Sequence, residues 1–131
     1  DVTSSHFTAR VYYEDTDFSG NVYHAAYLHF FERARTEFLR ERGVHHSELV
    51  KDGIAFAVRT MTIDFKAAAH IDDLLEVTTE VASLTAARLN LVQSISRDGA
   101  EITRAAVQVV AIKTSGGAAR MPRELLDLLK A

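Results

Sequence analysis

The chain has 131 residues, one proline, no cysteine, and 15 basic against 18 acidic side chains. That length predicts one domain over residues 1–131 and leaves no room for a separate cofactor-binding domain. The absence of cysteine excludes a disulfide framework, a thiol nucleophile, thiolate zinc sites and cysteine-ligated iron–sulfur clusters, and it fits a reducing compartment. A formal charge of −3 argues against a nucleic-acid partner held through its phosphates. The longest apolar-rich stretch, Ala105–Ile112, is broken by Gln108 and is too short to cross a bilayer. No secretory signal is visible in Asp1–His6.

Phe7–Tyr13 is rich in aromatic and β-branched residues and predicts a first strand. Glu14–Val22 carries Asp15, Asp17, Ser19, Gly20 and Asn21 and predicts a loop. From Tyr23 to Arg42 the apolar period becomes helical through Tyr27, Phe31, Ala34 and Phe38, with Gly43 placed to terminate the helix. His45-His46 then predicts a solvated turn. Ile54, Phe56 and Val58 alternate, and Met61, Ile63 and Phe65 alternate on the other parity. This slip predicts a bulge near Arg59–Thr60 within one long strand. Leu75–Val81 and Ala87–Ile95 predict two more strands, Asp98-Gly99 a hairpin turn, and Thr103–Lys113 a fifth strand. Pro122 opens a short amphipathic segment, Arg123–Lys130. One strand, one long helix and four hairpin-linked strands, with no second crossover helix, predict an α+β fold. An antiparallel sheet of about five strands wraps around the one central helix.

The densest polar cluster, Glu14 to His24, lies where the first strand hands over to the helix. The first turn of a long helix presents unpaired N–H groups and the positive end of the helix dipole. An acidic residue folded back beside that pole supplies the carboxylate and oxyanion site that acyl-transfer chemistry requires. Asp15 or Asn21 capping the helix is the competing structural role, and it would leave Asp17 free. A metal site is not expected: His29 and Glu32 have the i, i+3 spacing of di-metal bundles but lack a second such pair. His70 has no identifiable ligand partner. Nucleophile-elbow, Walker and GxGxxG patterns are absent.

Tyr13–Leu28, reading Tyr-Glu-Asp-Thr-Asp-Phe-Ser-Gly-Asn-Val-Tyr-His-Ala-Ala-Tyr-Leu, followed by Phe31–Glu37, resembles the YbgC branch of acyl-CoA thioesterases. These belong to the 4-hydroxybenzoyl-CoA thioesterase-like group of hotdog-fold proteins. The resemblance continues through Val58–Phe65 and Asp72–Thr79 and covers nearly the whole chain. It implies a hotdog fold and hydrolysis of acyl-CoA or acyl-carrier-protein thioesters. Asp17 would be the catalytic nucleophile or general base. His24 would polarise the carbonyl through its backbone N–H at the helix start, and its imidazole would assist proton transfer or position water. Tyr23 and Tyr27 would line the acyl pocket, and Arg88, with Arg59 and Lys66 as weaker candidates, would meet the CoA phosphates. The resemblance implies no cofactor, a homodimer or homotetramer with sites at the subunit interface, and a cytoplasmic location. A non-catalytic acyl-thioester or lipid-binding module on the same fold is the alternative. A hotdog dehydratase is disfavoured because its helix motif is not matched.

Overall fold

The computed structural model describes residues 4–130. Strand β1 (Ser4–Arg10) leads through a 3-10 turn (Tyr13–Asp15) to helix α1 (His24–Glu41). A short helix α2 (His46–Lys51) precedes β2 (Ile54–Phe65), β3 (Leu74–Leu84), β4 (Arg88–Arg97) and β5 (Ala100–Lys113). Helix α3 (Arg123–Lys130) closes the described chain. The five strands form one sheet in the order β1-β3-β4-β5-β2, with every neighbouring pair antiparallel. The expected α+β hotdog layout is the observed one.

Two local expectations shift. Tyr12 and Tyr13 are exposed and lie beyond β1 rather than within it. Val11 instead exchanges backbone bonds with the Asp72-Asp73 turn, at 2.9 and 3.0 Å, and the chain leaves the sheet there. His45-His46 is not a bare turn, because His45 precedes α2 and His46 begins it. The six-residue helix is too short for a periodic signal, and only Leu49 packs against the core. The predicted bulge is present, as the β2–β5 register shifts between Val58 and Thr60. Asp98 and Gly99 both adopt positive φ, 53° and 81°, and so form the tight turn that the β4–β5 hairpin needs.

The inner face of the sheet follows from the register. Val77, Ile95 and Thr103 stand in one row; Thr79, Gln93 and Ala105 form the next, and Val81, Leu91 and Val107 the third. Against them α1 lays Tyr27, Phe30, Phe31, Ala34 and Phe38, all buried. Helix α1 runs closest to β1 and β3. Coverage therefore falls off toward β2, where Ile54, Phe56, Met61 and Ile63 are only partly buried and Phe65 is exposed.

Thr79, Gln93 and Thr103 interrupt the apolar floor, and Gln93 makes the most contacts across to the helix. Gln93, fully buried, donates to the Phe31 carbonyl at 3.1 Å and to the Thr79 hydroxyl at 2.9 Å. Its carbonyl accepts from the Arg35 guanidinium at 3.0 Å. These bonds fix α1 laterally on the sheet, which nonspecific apolar packing alone would not do. Gln93→Leu removes the partner of the buried Thr79 hydroxyl and of the part-buried Arg35 guanidinium, and a buried polar group left unsatisfied costs about 1–3 kcal/mol. Urea denaturation of this variant is expected to show a loss of stability of at least that size.

Candidate active site

The loop between β1 and α1 is held by its own backbone. The Asp15 carboxylate accepts from the Tyr12 N–H at 2.9 Å, and the Asp15 carbonyl accepts from the Tyr23 N–H at 2.9 Å. Thr16 and Val22 then bridge, the Asp17 N–H donates to the Asn21 carbonyl at 2.9 Å, and the Gly20 N–H donates to the Asp17 carbonyl at 3.1 Å. Gly20 sits at φ 84°, a conformation that side chains resist, and this lets the tight reversal close. The Asp17 carboxylate is turned onto its own loop, where Oδ1 accepts from the Ser19 hydroxyl at 2.5 Å and the Ser19 N–H at 2.8 Å. The hydroxyl first, and the amide second, hold the Asp17 carboxyl below the usual carboxylate range.

This small hairpin hangs on the segment between β2 and β3. The Val22 N–H donates to the Ala69 carbonyl at 2.8 Å, and Asn21 bridges to His70. From the helix side, the buried Tyr27 hydroxyl accepts the Ala69 N–H at 3.0 Å. Between them opens a cleft of about 490 Å³ lined by Asp17, Asn21, His24, Tyr27, Phe65 and Lys66, with alanine backbone behind. Phe65 meets Tyr27 edge-on, with ring centres 5.3 Å apart, and lies 5.8 Å from the His24 ring. His24 is the first residue of α1, and no side chain caps that helix. Neither Asp15 nor Asn21 takes the capping role; the Ala26 N–H turns back onto the Tyr23 carbonyl at 2.9 Å, and the His24 and Ala25 N–H groups are left without a side-chain cap at the positive helix pole. The cleft thus brings together a carboxylate and an uncapped helix end.

The family model for the thioesterase-like superfamily matches residues 11–129. The chain belongs to that superfamily. The Haemophilus influenzae acyl-CoA thioesterase YbgC is 47% identical over 107 residues, covering 81% of this chain and 79% of its own. The YbgC acyl-CoA thioester hydrolase of an Escherichia coli strain is 44% identical over 104 residues, covering 79% and 78%. A crystal structure of a probable thioesterase from Bartonella henselae superposes with a TM-score of 0.86 at 42% identity, covering 91% of this chain and 99% of that one. A 4-hydroxybenzoyl-CoA thioesterase structure, at 20% identity and TM-score 0.90, shares the fold. The chain is a thioester hydrolase of the YbgC branch.

In this thioesterase the residues singled out from sequence fall into two groups. Asp17, His24 and Tyr27 meet in the one cleft. Tyr23 sits beside it but lines a different hollow, with Glu14, Asp15, His29 and Arg33. Arg59 occupies the β2 bulge, ~20 Å along the strand from Phe65 at ~3.3 Å per residue. Arg88 begins β4, whereas Arg97 at the far end of that strand touches Ala68, so ~30 Å separates Arg88 from the cleft wall within one chain. Lys66 lines the cleft, but its ammonium is ion-paired with Glu101, which also holds Arg104. Among the described residues, no three His, Asp or Glu side chains gather in a group that could hold a metal ion. Nor is any described helix long and apolar enough to cross a membrane.

Among the lining residues that sequence reasoning passed over, Phe65 is the aromatic one. Its signal was present, as the last apolar position of the second β2 phase, but nothing local separates a lining ring from a core one. A second cavity, of about 220 Å³, lies farther along the gap between α1 and β2, with Arg35, Leu39, Phe56 and Val58 among its walls. Burial there pushes the Arg35 guanidinium down from its ordinary pKa. No residue from the start of α1 lines it.

The Ser19 hydroxyl is the largest influence lowering the Asp17 pKa, and removing it raises that pKa. A catalytic carboxylate acts ionised, so activity is lost as pH falls through its pKa. Ser19→Ala is therefore expected to move the acid limb of the kcat/KM profile to higher pH while leaving the neutral plateau in place. A pH–rate profile of the two proteins checks this.

Proposed function

We propose that this enzyme hydrolyses acyl-CoA thioesters to the free acid and coenzyme A, with Asp17 as nucleophile and the amino end of α1 as oxyanion site. The observation carrying this reading is the meeting of the Asp17 carboxylate and the uncapped His24 turn in one cleft. Named relatives at 44–47% identity supply the substrate class, since they are acyl-CoA thioesterases.

Attack by an Asp17 oxygen on the thioester carbonyl carbon yields a tetrahedral oxyanion facing the first-turn N–H groups. Collapse breaks the C–S bond and releases the CoA thiolate, which takes a proton from solvent or from His24. Water then hydrolyses the aspartyl anhydride, restoring the carboxylate and freeing the acid. Both Ser19 bonds fall on Oδ1, and neither uses Oδ2. One oxyanion donor is worth roughly 10²–10³ in rate, so an activated ester needs little more than this pair.

The site sits at the thinly covered edge of the sheet. Edge strand β2 exposes Val58 and Phe65 and leaves its inner face half-covered. A second copy seated there would bury that face and narrow the open cleft, the arrangement expected of a homodimer or homotetramer. The reaction is assigned to the cytoplasm, where CoA thioesters are made and consumed, and the cysteine-free chain suits that reducing setting.

Thiol release from a panel of acyl-CoAs tests the chemistry. Asp17→Asn is expected to fold and to lose at least ~10² in turnover. A single turnover in ¹⁸O-water is expected to leave label in the Asp17 carboxylate, and equal rates in mutant and wild type would refute the catalytic role. Sedimentation at micromolar concentration is expected to show species well above the 14.5 kDa protomer.

A further inference from the structure

Ala67 and Ala68 line the cleft opposite α1 and run on into Ala69, a stretch with no side chain able to anchor itself. Its position is set from outside. At one end the Lys66 and Ala67 N–H groups share the Ile102 carbonyl, at 2.9 and 3.1 Å. At the other, a single guanidinium nitrogen, Arg97 Nη1, donates to the Ala68 carbonyl at 2.8 Å and to Asp73 Oδ2 at 2.9 Å. The same Oδ2 accepts the His70 N–H at 2.9 Å. The Asp73 N–H closes the turn onto the His70 carbonyl at 3.1 Å, and its carbonyl takes the Val11 N–H at 2.9 Å. Arg97, at the end of β4, and Asp73, just before β3 and bonded to Val11 just after β1, thus tie the ends of these strands to the wall from which the Asp17 hairpin hangs.

We propose that Arg97 and Asp73 are positioning residues for catalysis, fixing through Ala68, Ala69 and His70 where the Asp17 carboxylate stands relative to the amino end of α1. The chain of contacts is short. Arg97 holds Ala68; the next residue, Ala69, accepts from Val22 and donates to Tyr27; Val22 bridges Thr16, the neighbour of Asp17. Neither Arg97 nor Asp73 lines the cleft. Both are largely shielded, their side chains 27% and 24% exposed, so the pair is held in one geometry rather than free in solvent. Burial alone would raise the Asp73 pKa, but the bonds from His70 and Arg97 outweigh it and hold the carboxyl ionised below its usual range. Nucleophilic attack demands a carboxylate oxygen at ~3 Å from the carbonyl carbon, and a ~1 Å misplacement costs up to ~10² in rate.

This inference rests on Asp17 being the attacking group, and the test has one arm that does not. Arg97→Ala is expected to lower kcat ~10- to 100-fold with KM nearly unchanged. Arg97→Lys, which keeps a cationic donor, recovers most of that loss, as does millimolar guanidinium added to Arg97→Ala. Independently of activity, native-state amide exchange at Val22 and Ala69 is expected to quicken at least ~10-fold in Arg97→Ala, while core amides such as Leu91 keep their protection. Paired alanine substitutions of Arg97 and Asp73 are expected to be strongly non-additive in kcat. An unchanged kcat in folded Arg97→Ala overturns the positioning role whatever the exchange rates do. A kcat loss with unaltered Val22 and Ala69 exchange and no rescue overturns it too. Should Asp17→Asn retain full activity, the function reading fails, and the exchange arm still decides whether the clamp holds the wall.

Discussion

A five-stranded sheet with an apolar inner face has only one long helix to bury it, and where that helix lies governs everything else in this molecule. The stripe of Tyr27, Phe30, Phe31, Ala34 and Phe38 supplies the area, but apolar packing is nearly indifferent to small sideways shifts. The Gln93 bonds remove that indifference. They join the helix backbone at Phe31 and the side chain of Arg35 to the central strand β4. With the helix thus held near β1 and β3, its amino end emerges over the exit of β2, beside Phe65 and the alanine wall. The cleft is a consequence of that placement.

Much of this was legible in the chain itself, and the reasons are physical. The long strands and α1 carry periods of 2 and 3.6 over enough residues to be unmistakable, and the β2 bulge announced itself as a change of parity. Helix α2 did not, because six residues span too few turns to repeat a pattern. The Tyr12-Tyr13 pair reads as strand by propensity, yet strand pairing ended where Val11 found the Asp72-Asp73 turn, a partner far along the chain.

The candidate site divides the same way. That a polar loop before a helix houses chemistry could be inferred, but which of Asp15 and Asp17 is free could not be read from composition. The structure separates them through bonds only a few residues long: Asp15 closes on Tyr12, Asp17 on Ser19. The family resemblance points to Asp17, and of the two it is Asp17 that lines the cleft. Arg88 is pointed to by the family resemblance, with Arg59 a weaker candidate, and the sheet places both away from the cleft of their own chain. Arg97, on the far end of the strand that Arg88 begins, is the cation that reaches the wall, and its two partners at Ala68 and Asp73 are distant in sequence.

Two properties of Asp17 are therefore governed by different parts of the chain. Its acidity comes from Ser19, two residues away, within a turn that closes on its own backbone bonds. Its position comes from Ala69, Arg97 and Tyr27, contacts that exist only once the sheet and helix have assembled. An activated thioester does not demand a strong base. It demands an oxygen held at the right distance from a carbonyl whose developing charge is already met by the helix pole. In the mechanism proposed above, the long-range contacts meet that requirement, because the sequence-distant residues of the wall place the acid that the local turn makes.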